Sequence, residues 1–352
     1  MMSHLSCCCY GPVQVRVGVL VGLALLLACA GQPGQVTPTS TIDTLETSSS
    51  VPVATGPLHA VIPDAPLLAQ GSVEGSDYLF VSAAVSLEDA VHAYIVGFSR
   101  NESRVMVMSW SEGGEISQTD PGVDGLDVAL NLDHPGPMPT SVTQRRDGTW
   151  VMYGFGVPAT PGAKPVFWRA LSDSPTGPWG DPAIVYEVGG PGAWDAAWID
   201  FPNVFVAEEG VSMLYEGASD AEPDSSHLGV AASSDGITWE RPPSPSVSPG
   251  DCEDVTSIRM PRMLAIEEDW LLAFFAITGA DEEPPIHVAA GQDPMHPSCA
   301  GAEVTLSVED LPASGGVHSY ALVRTASGPA LLVESLDEEA SGSSVWLLPL
   351  AD

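Results

Sequence analysis

VHAYIVGF (91–98), WVMYGF (150–155), SMLYEG (212–217), WLLAFFA (270–276) and ALLVES (330–335) are five apolar, aromatic-rich segments of one chain. Their starts at Val91, Trp150, Ser212, Trp270 and Ala330 lie 59, 62, 58 and 60 positions apart. Each of the first four is followed by a second strand pattern ending in a short acidic turn: VMVMSWSEGG (105–114), VFWRALSDSPTGPW (166–179), LGVAASSDGITW (228–239) and IHVAAGQDP (286–294). Placed on Ser111, Ser172, Ser234 and Gln292, these turns recur at steps of 61, 62 and 58. Two registers with one period identify an internal repeat of about 60 residues, which has to be recognised before any single element is assigned.

A third apolar segment precedes each first strand, as in PTSVTQRRDG (139–148), FPNVFVAEEG (201–210), MPRMLAIEED (260–269) and HSYALVRTASG (318–328). Each unit therefore supplies three clear strands, and a weaker fourth is expected on the outside. The strands are apolar on both faces, as sheets packed between neighbouring sheets require. The expected fold is all-β, a five-bladed β-propeller of four-stranded antiparallel blades over 58–352, in which radial repetition leaves only short sheet edges. A pair of β-sandwiches is the structural rival, but it does not explain a common period with recurring turn chemistry.

In Ser233-Ser234-Asp235-Gly236-Ile237-Thr238-Trp239, Asp235 is suited to accept hydrogen bonds from the turn backbone, Gly236 to take a positive φ, and Trp239 to cap the hairpin. The segment resembles the turn of glycosidase propellers and, loosely, the Asp-box of sialidases, although it lacks the residue the Asp-box places between Asp and Gly. Equivalent acids recur at Glu112, Asp173 and Asp293, so Asp235 is read as a turn builder. ALSDSPTGPW (170–179) resembles a hairpin of family 43 glycoside hydrolases. WDAAWIDFPNVFVAEEGVSMLYEGAS (194–219) with HLGVAASSDGITWER (227–241) resembles a repeating blade of the wider arabinanase, invertase and levansucrase superfamily. The resemblance implies a sugar-binding pocket at one end of a central channel, and its motifs specify architecture more strongly than activity.

Glycoside hydrolysis normally takes two carboxyl groups, one protonated and one ionised. By resemblance these come from the innermost strands of different blades. The corresponding positions are Asp77, Asp133 next to His134, Asp195 and Asp200, and Glu253 with Asp254. Asp200, directly before Phe201-Pro202, is the first choice, paired with Asp133, Asp77 or Glu253. The departures are equally specific: there is no Asn-Asp-Pro-Asn-Gly, Arg-Asp-Pro or Glu-Gly-Pro motif. Arg259 stands two residues before Pro261, as Asp200 stands two before Pro202. It is suited either to clamp the carboxylate of a uronic-acid ligand or to pair with Asp200. Trp194 and Trp198 fit sugar stacking and core packing equally well. His318 opens the fifth inner segment, and the resemblance allows a channel histidine near a cation such as Ca2+. No cofactor is otherwise called for, and no metal motif is present. Carbohydrate is the expected partner and a monomer the expected state. A catalytic propeller and a non-catalytic one that recognises glycan or protein both remain open.

The chain of 352 residues carries 46 Asp and Glu against 11 Lys and Arg, a formal charge of −35. That balance excludes nucleic acid as a natural partner, because such binding gains from clustered cations. Apolar residues make up 44% and charged ones only 16%, so a folded core is expected rather than disorder. Residues 17–28 (VGVLVGLALLLA) form an apolar run of 12 between Arg16 and Cys29. A helix of that length rises about 18 Å, too short for a bilayer. It reads as the core of a signal peptide spanning 1–28. Leu26-Leu27-Ala28-Cys29 resembles a lipoprotein lipobox, which implies lipidation of Cys29, with an ordinary secretory signal as the alternative. Of residues 30–57, 17 of 28 are Ser, Thr, Pro or Gly, so the segment from Cys29 onward is expected to be a lipidated tether, placing the body at the cell envelope with membrane contact through the anchor only. Cys252 and Cys299 are left as a candidate disulfide or as two buried thiols.

Overall fold

The computed structural model describes residues 59–351 except 70–72, 74–75, 77, 88–89, 99–102, 112–113, 124–131, 208–209, 268, 280–283, 300–301, 307–315 and 337–341. The signal-peptide run, Cys29, the tether and Asp77 lie outside the described residues. After β1 (His59–Ala60), the first sheet runs β2 (Tyr78–Leu87), β3 (Ala90–Phe98), β4 (Ser103–Ser111) and β5 (Ser117–Thr119). The second is β6 (Leu132–Gln144), β7 (Trp150–Pro158), β8 (Val166–Ser172) and β9 (Gly180–Glu187). The third is β10 (Trp198–Ala207), β11 (Gly210–Ser219) and β12 (Glu222–Ser233). The fourth is β13 (Ser257–Ile266), β14 (Asp269–Ile277), β15 (Ile286–Ala289) and β16 (Ala302–Leu306). The fifth is β17 (Val317–Thr325), β18 (Gly328–Leu336) and β19 (Ser343–Ala351), completed by β1 on the outer edge of β19. All pairings between strands are antiparallel, and the only helical element among the described residues is the 3-10 turn Pro249–Asp251.

Sheet three lacks the fourth strand expected from the repeat. The chain after β12 reads RPPSPSVSPGD (241–251), and proline has no N–H to give to a ladder. Only the isolated bridges Ala232↔Glu240 and Leu228↔Val247 form there.

The five repeated strands are β3, β7, β11, β14 and β18, and their two faces feed different cores. Tyr94 and Val96 pack with Trp150 and Met152 between sheets one and two. Val151 and Tyr153 pack with Met213 and Tyr215 between sheets two and three. Leu214 meets Leu272 and Phe274, and Leu271, Ala273 and Phe275 meet Leu331 and Val333. Ala330 and Leu332 then meet Ala93 and Ile95, which joins the last sheet to the first. Period-two alternation with both faces apolar is what lets one strand serve two layers.

Every first strand of a sheet is bulged at the same place: between Val81 and Ala83, Pro139 and Ser141, Asp200 and Asn203, Arg259 and Arg262, and Val317 and Ser319. The bulges link neighbouring sheets. Val81 N–H donates to Ser319 Oγ at 2.7 Å, Ser82 Oγ donates to the Pro139 carbonyl, and Thr140 Oγ1 donates to the Pro202 carbonyl at 2.7 Å. Met263 N–H donates to Asn203 Oδ1 at 2.8 Å, and Tyr320 OH donates to the Met260 carbonyl at 2.5 Å. An extra residue that cannot pair within its own sheet is thus satisfied by the next.

Asp235 builds its turn as expected: Oδ1 accepts from Ile237 N and Thr238 N, each at 2.8 Å, and Gly236 has φ 68°. Trp239 packs edge-on to Tyr153 at 6.0 Å. Cys252 and Cys299 form a disulfide that spans 47 residues, with Cα atoms 5.5 Å apart. A loop of that length constrains the unfolded chain substantially. Replacing both cysteines with alanine is expected to lower unfolding free energy by about 2–4 kcal/mol. Urea titration with and without a reductant measures it, and coincident midpoints would show that the bond constrains nothing.

Candidate functional site

Asp200 and Arg259 occupy equivalent places, each opening the bulge of its strand. Each is followed by a non-glycine residue with left-handed backbone, Phe201 at φ 47° and Met260 at φ 51°, and then by proline. Such a conformation costs roughly 1–3 kcal/mol and persists only when its surroundings over-determine it. Here they do so at Met260, whose N–H donates to Glu216 Oε2 at 2.6 Å and whose carbonyl takes the Tyr320 hydroxyl.

Glu216 lies directly across β10–β11 from Asp200, so the two carboxyl groups leave the sheet on the same face. Glu216 is 2% exposed, whereas Asp200 is partly exposed. Burial, and secondly the neighbouring Glu216, raise Asp200 well above the usual carboxylate range, against the pull of Arg259. Burial raises Glu216 to about 7, against the pull of Arg259, the Met260 N–H and Arg262. Close carboxyls of this kind titrate as a pair, and at neutral pH this pair retains a proton. Asp200 Oδ1 and Arg259 Nε are buried with no hydrogen-bond partner.

Arg262 stands behind them, 2% exposed. Its guanidinium donates to the carbonyls of Tyr320, Pro261 and Ser82 at 3.1–3.3 Å and lies 5.6 Å from the Phe201 ring. Phe201 is flanked by Phe155 at 4.9 Å and Phe80 at 6.3 Å, and all three rings are partly exposed. The site therefore combines a proton-sharing carboxyl pair, a free guanidinium face and an aromatic cluster, which together suit a hydroxylated ring with apolar C–H faces.

The other expected site residues are distributed differently. Asp195 is fully buried: its Oδ2 accepts from the Tyr215 hydroxyl at 2.9 Å and pairs with Arg241, whose guanidinium also lies 4.2 Å from the Tyr186 ring. Tyr186 donates in turn to Tyr215 at 2.9 Å. Trp194 packs on Tyr215 at 5.3 Å and donates to the Pro242 carbonyl at 3.2 Å. This network fastens the segment after β12 onto sheet three, and it corrects the expectation that Asp195 would contact a ligand. Trp198 likewise donates to the Pro223 carbonyl at 2.8 Å. Glu253 is exposed, in the turn tied down by the disulfide that leads into β13. His318 is the exposed bulge residue of β17. Asp133 and His134 lie on β6, and their side chains are outside the described residues. Among the described residues no group of three or more His, Cys, Asp or Glu is placed to hold a metal ion.

No protein-family model matches the chain, and no curated protein matches it. Solved structures do. A thermostable family-43 glycoside hydrolase superposes with TM-score 0.58 at 12% identity, covering 79% of this chain and 94% of that one. The catalytic domain of a Coprinopsis cinerea GH62 alpha-L-arabinofuranosidase gives 0.56 at 13%, covering 82% and 95%. A further structure described as a glycoside hydrolase gives 0.58 at 12%, covering 84% and 91%. The fold is that of these glycoside hydrolases.

Glu216 and Arg262 were not singled out from sequence. The available signal was an acid inside the apolar strand SMLYEG and a second arginine in RMPRMLAI, since buried charges of this kind are rare without a partner.

Because Glu216 binds its proton more tightly folded than unfolded, the native state holds more protons than the unfolded state between about pH 4.5 and 7. Stability from this group is present below that window and falls as pH rises through it. Glu216→Gln is expected to remove a pH-dependent difference on the order of 1–3 kcal/mol, measured by urea unfolding at pH 5 and pH 7.5. Parallel pH profiles for wild type and variant would contradict the assignment.

Proposed function

We propose that this chain is a five-bladed β-propeller that acts on a carbohydrate at its inner-strand bulges, exported and held at the cell envelope by a lipid on Cys29. The observation that carries the reading is Asp200, a partly exposed residue whose carboxyl is kept protonated by burial and by Glu216, beside an aromatic cluster in a fold shared with glycoside hydrolases. In hydrolysis Asp200 gives its proton to the leaving glycosidic oxygen as the C–O bond breaks. A water molecule adds its hydroxyl to the anomeric carbon and passes its own proton to an ionised carboxylate, for which Asp133 and Asp77 are the candidates. Glu216 is a positioning residue: its charge holds the Asp200 proton and its Oε2 holds Met260.

One observation favours a second reading, sugar recognition without turnover. Arg259 fills in unit four the place that Asp200 fills in unit three, so unit four brings no carboxylate to its bulge.

Aryl-furanosides, aryl-xylosides and plant or microbial polysaccharides are the screen. Asp200→Asn is expected to reduce kcat/KM by about 10²–10⁴, the usual contribution of a positioned proton donor, with the loss chiefly in kcat. Binding without turnover by wild type would select the second reading. Activity unchanged in Asp200→Asn would remove Asp200 from the mechanism.

A further inference from the structure

We propose that the sugar taken by this site carries a carboxylate, a hexuronic acid unit, and that Arg259 is the residue that selects it. The inference rests on the carbohydrate reading above and adds the class of sugar.

Four charged or titratable groups meet at the bulges of β10 and β13: Asp200, Glu216, Arg259 and Arg262. Arg262 is buried and its donors are occupied by three carbonyls, so it contributes charge but no free face. Arg259 is partly exposed, and among the described residues it comes within 4.0 Å of no carboxylate. Its Nε has no partner although that atom is out of contact with solvent. A buried guanidinium N–H left unpaired is costly, because its desolvation is not offset by a hydrogen bond. Asp200, opening the equivalent bulge in β10, leaves Oδ1 equally unpaired. Arg259 is near enough to act on the charge of Asp200 and Glu216, yet these two atoms are left without a hydrogen bond.

Arg259 is thus a guanidinium with no carboxylate in direct contact and an unsatisfied donor. A neutral sugar leaves it without a charged partner. A carboxylate supplies one, because the planar guanidinium fork matches a carboxylate by two parallel hydrogen bonds. A phosphate dianion brings a second negative charge towards the Asp200–Glu216 pair. A single negative charge on the ring is the match, with the Phe201, Phe80 and Phe155 rings left to pack against its C–H face.

The test titrates the full-length protein with methyl glucuronide and methyl galacturonide, their methyl esters, the neutral methyl glucoside and methyl galactoside, and glucose 6-phosphate, by calorimetry or ligand-observed NMR. The uronides are expected to bind at least tenfold more tightly than the esters, the neutral parents and the phosphate. Arg259→Gln is expected to abolish that preference and Arg259→Lys to keep part of it. Asp200→Asn replaces a protonated carboxyl by an uncharged amide, so it should keep uronide binding; with Arg259→Lys it serves as the second variant if Arg259→Gln does not fold, as judged by its melting curve. A preference for neutral sugars or phosphate, or a uronide preference that survives Arg259→Gln, overturns the inference and leaves the carbohydrate reading standing. Binding of none of the sugars, together with no hydrolysis in the glycan screen, overturns both.

Discussion

A buried guanidinium that has no carboxylate in direct contact organises the centre of this molecule. Removing a cation from water costs several kcal/mol unless its donors are met. Arg262 meets that requirement with main-chain carbonyls from β13 itself, from β17 and from β2. Three of the five sheets are thereby fixed around one charge. The Pro261 and Ser82 carbonyls lie in the bulges of their strands, where the ladder is interrupted, and that of Tyr320 lies just past the bulge of β17. Glu216 supplies the compensating field while its Oε2 is spent on Met260 N–H. The left-handed backbone at Met260 is held in place by that hydrogen bond, and the raised proton affinity of Asp200 comes from burial and from the acid buried beside it.

The architecture was legible in sequence to the extent that it repeats. Strands whose alternate residues are all apolar announce two packed faces, and a constant spacing announces equivalent sheets; β3, β7, β11, β14 and β18 fall where that reasoning puts them. What it missed lies where the repeat breaks. The fourth strand of the last sheet is a two-residue segment from the start of the body, His59–Ala60, too short to carry a pattern and distant in sequence from its partner. The fourth strand of the third sheet is lost to prolines, a local chemical fact that a period of 60 cannot express.

The site was legible in part, for a different reason. Asp200 and Arg259 are exposed by comparison of repeats, because each interrupts an apolar inner strand just ahead of a proline. Glu216 is concealed by the same comparison: it belongs to the strand that defines the repeat. A second acid, Glu334, sits at the matching position of the fifth repeat and serves a different purpose, accepting from Ser319 Oγ at 3.2 Å, the hydroxyl that also receives Val81 N–H. Asp195 shows the limit of reasoning from adjacency. Flanked by tryptophans, it has the surroundings of a sugar contact, yet its partner Arg241 arrives from 46 residues further on, and pairing at that separation leaves no local mark.

The net charge of −35 is in tension with an anionic ligand only if charge acts uniformly. At physiological ionic strength a surface charge is screened over about 8 Å, so most of the 46 acids act as a coat. A long polyanion crosses that coat and meets repulsion along its whole length. One acidic sugar crosses only the part around the bulges, where Arg259 and Arg262 stand beside the Asp200–Glu216 pair. The surrounding acids then restrict what reaches the site. A composition poor in cations is thus compatible with a small carboxylate where the fold brings Arg259 and Arg262 together.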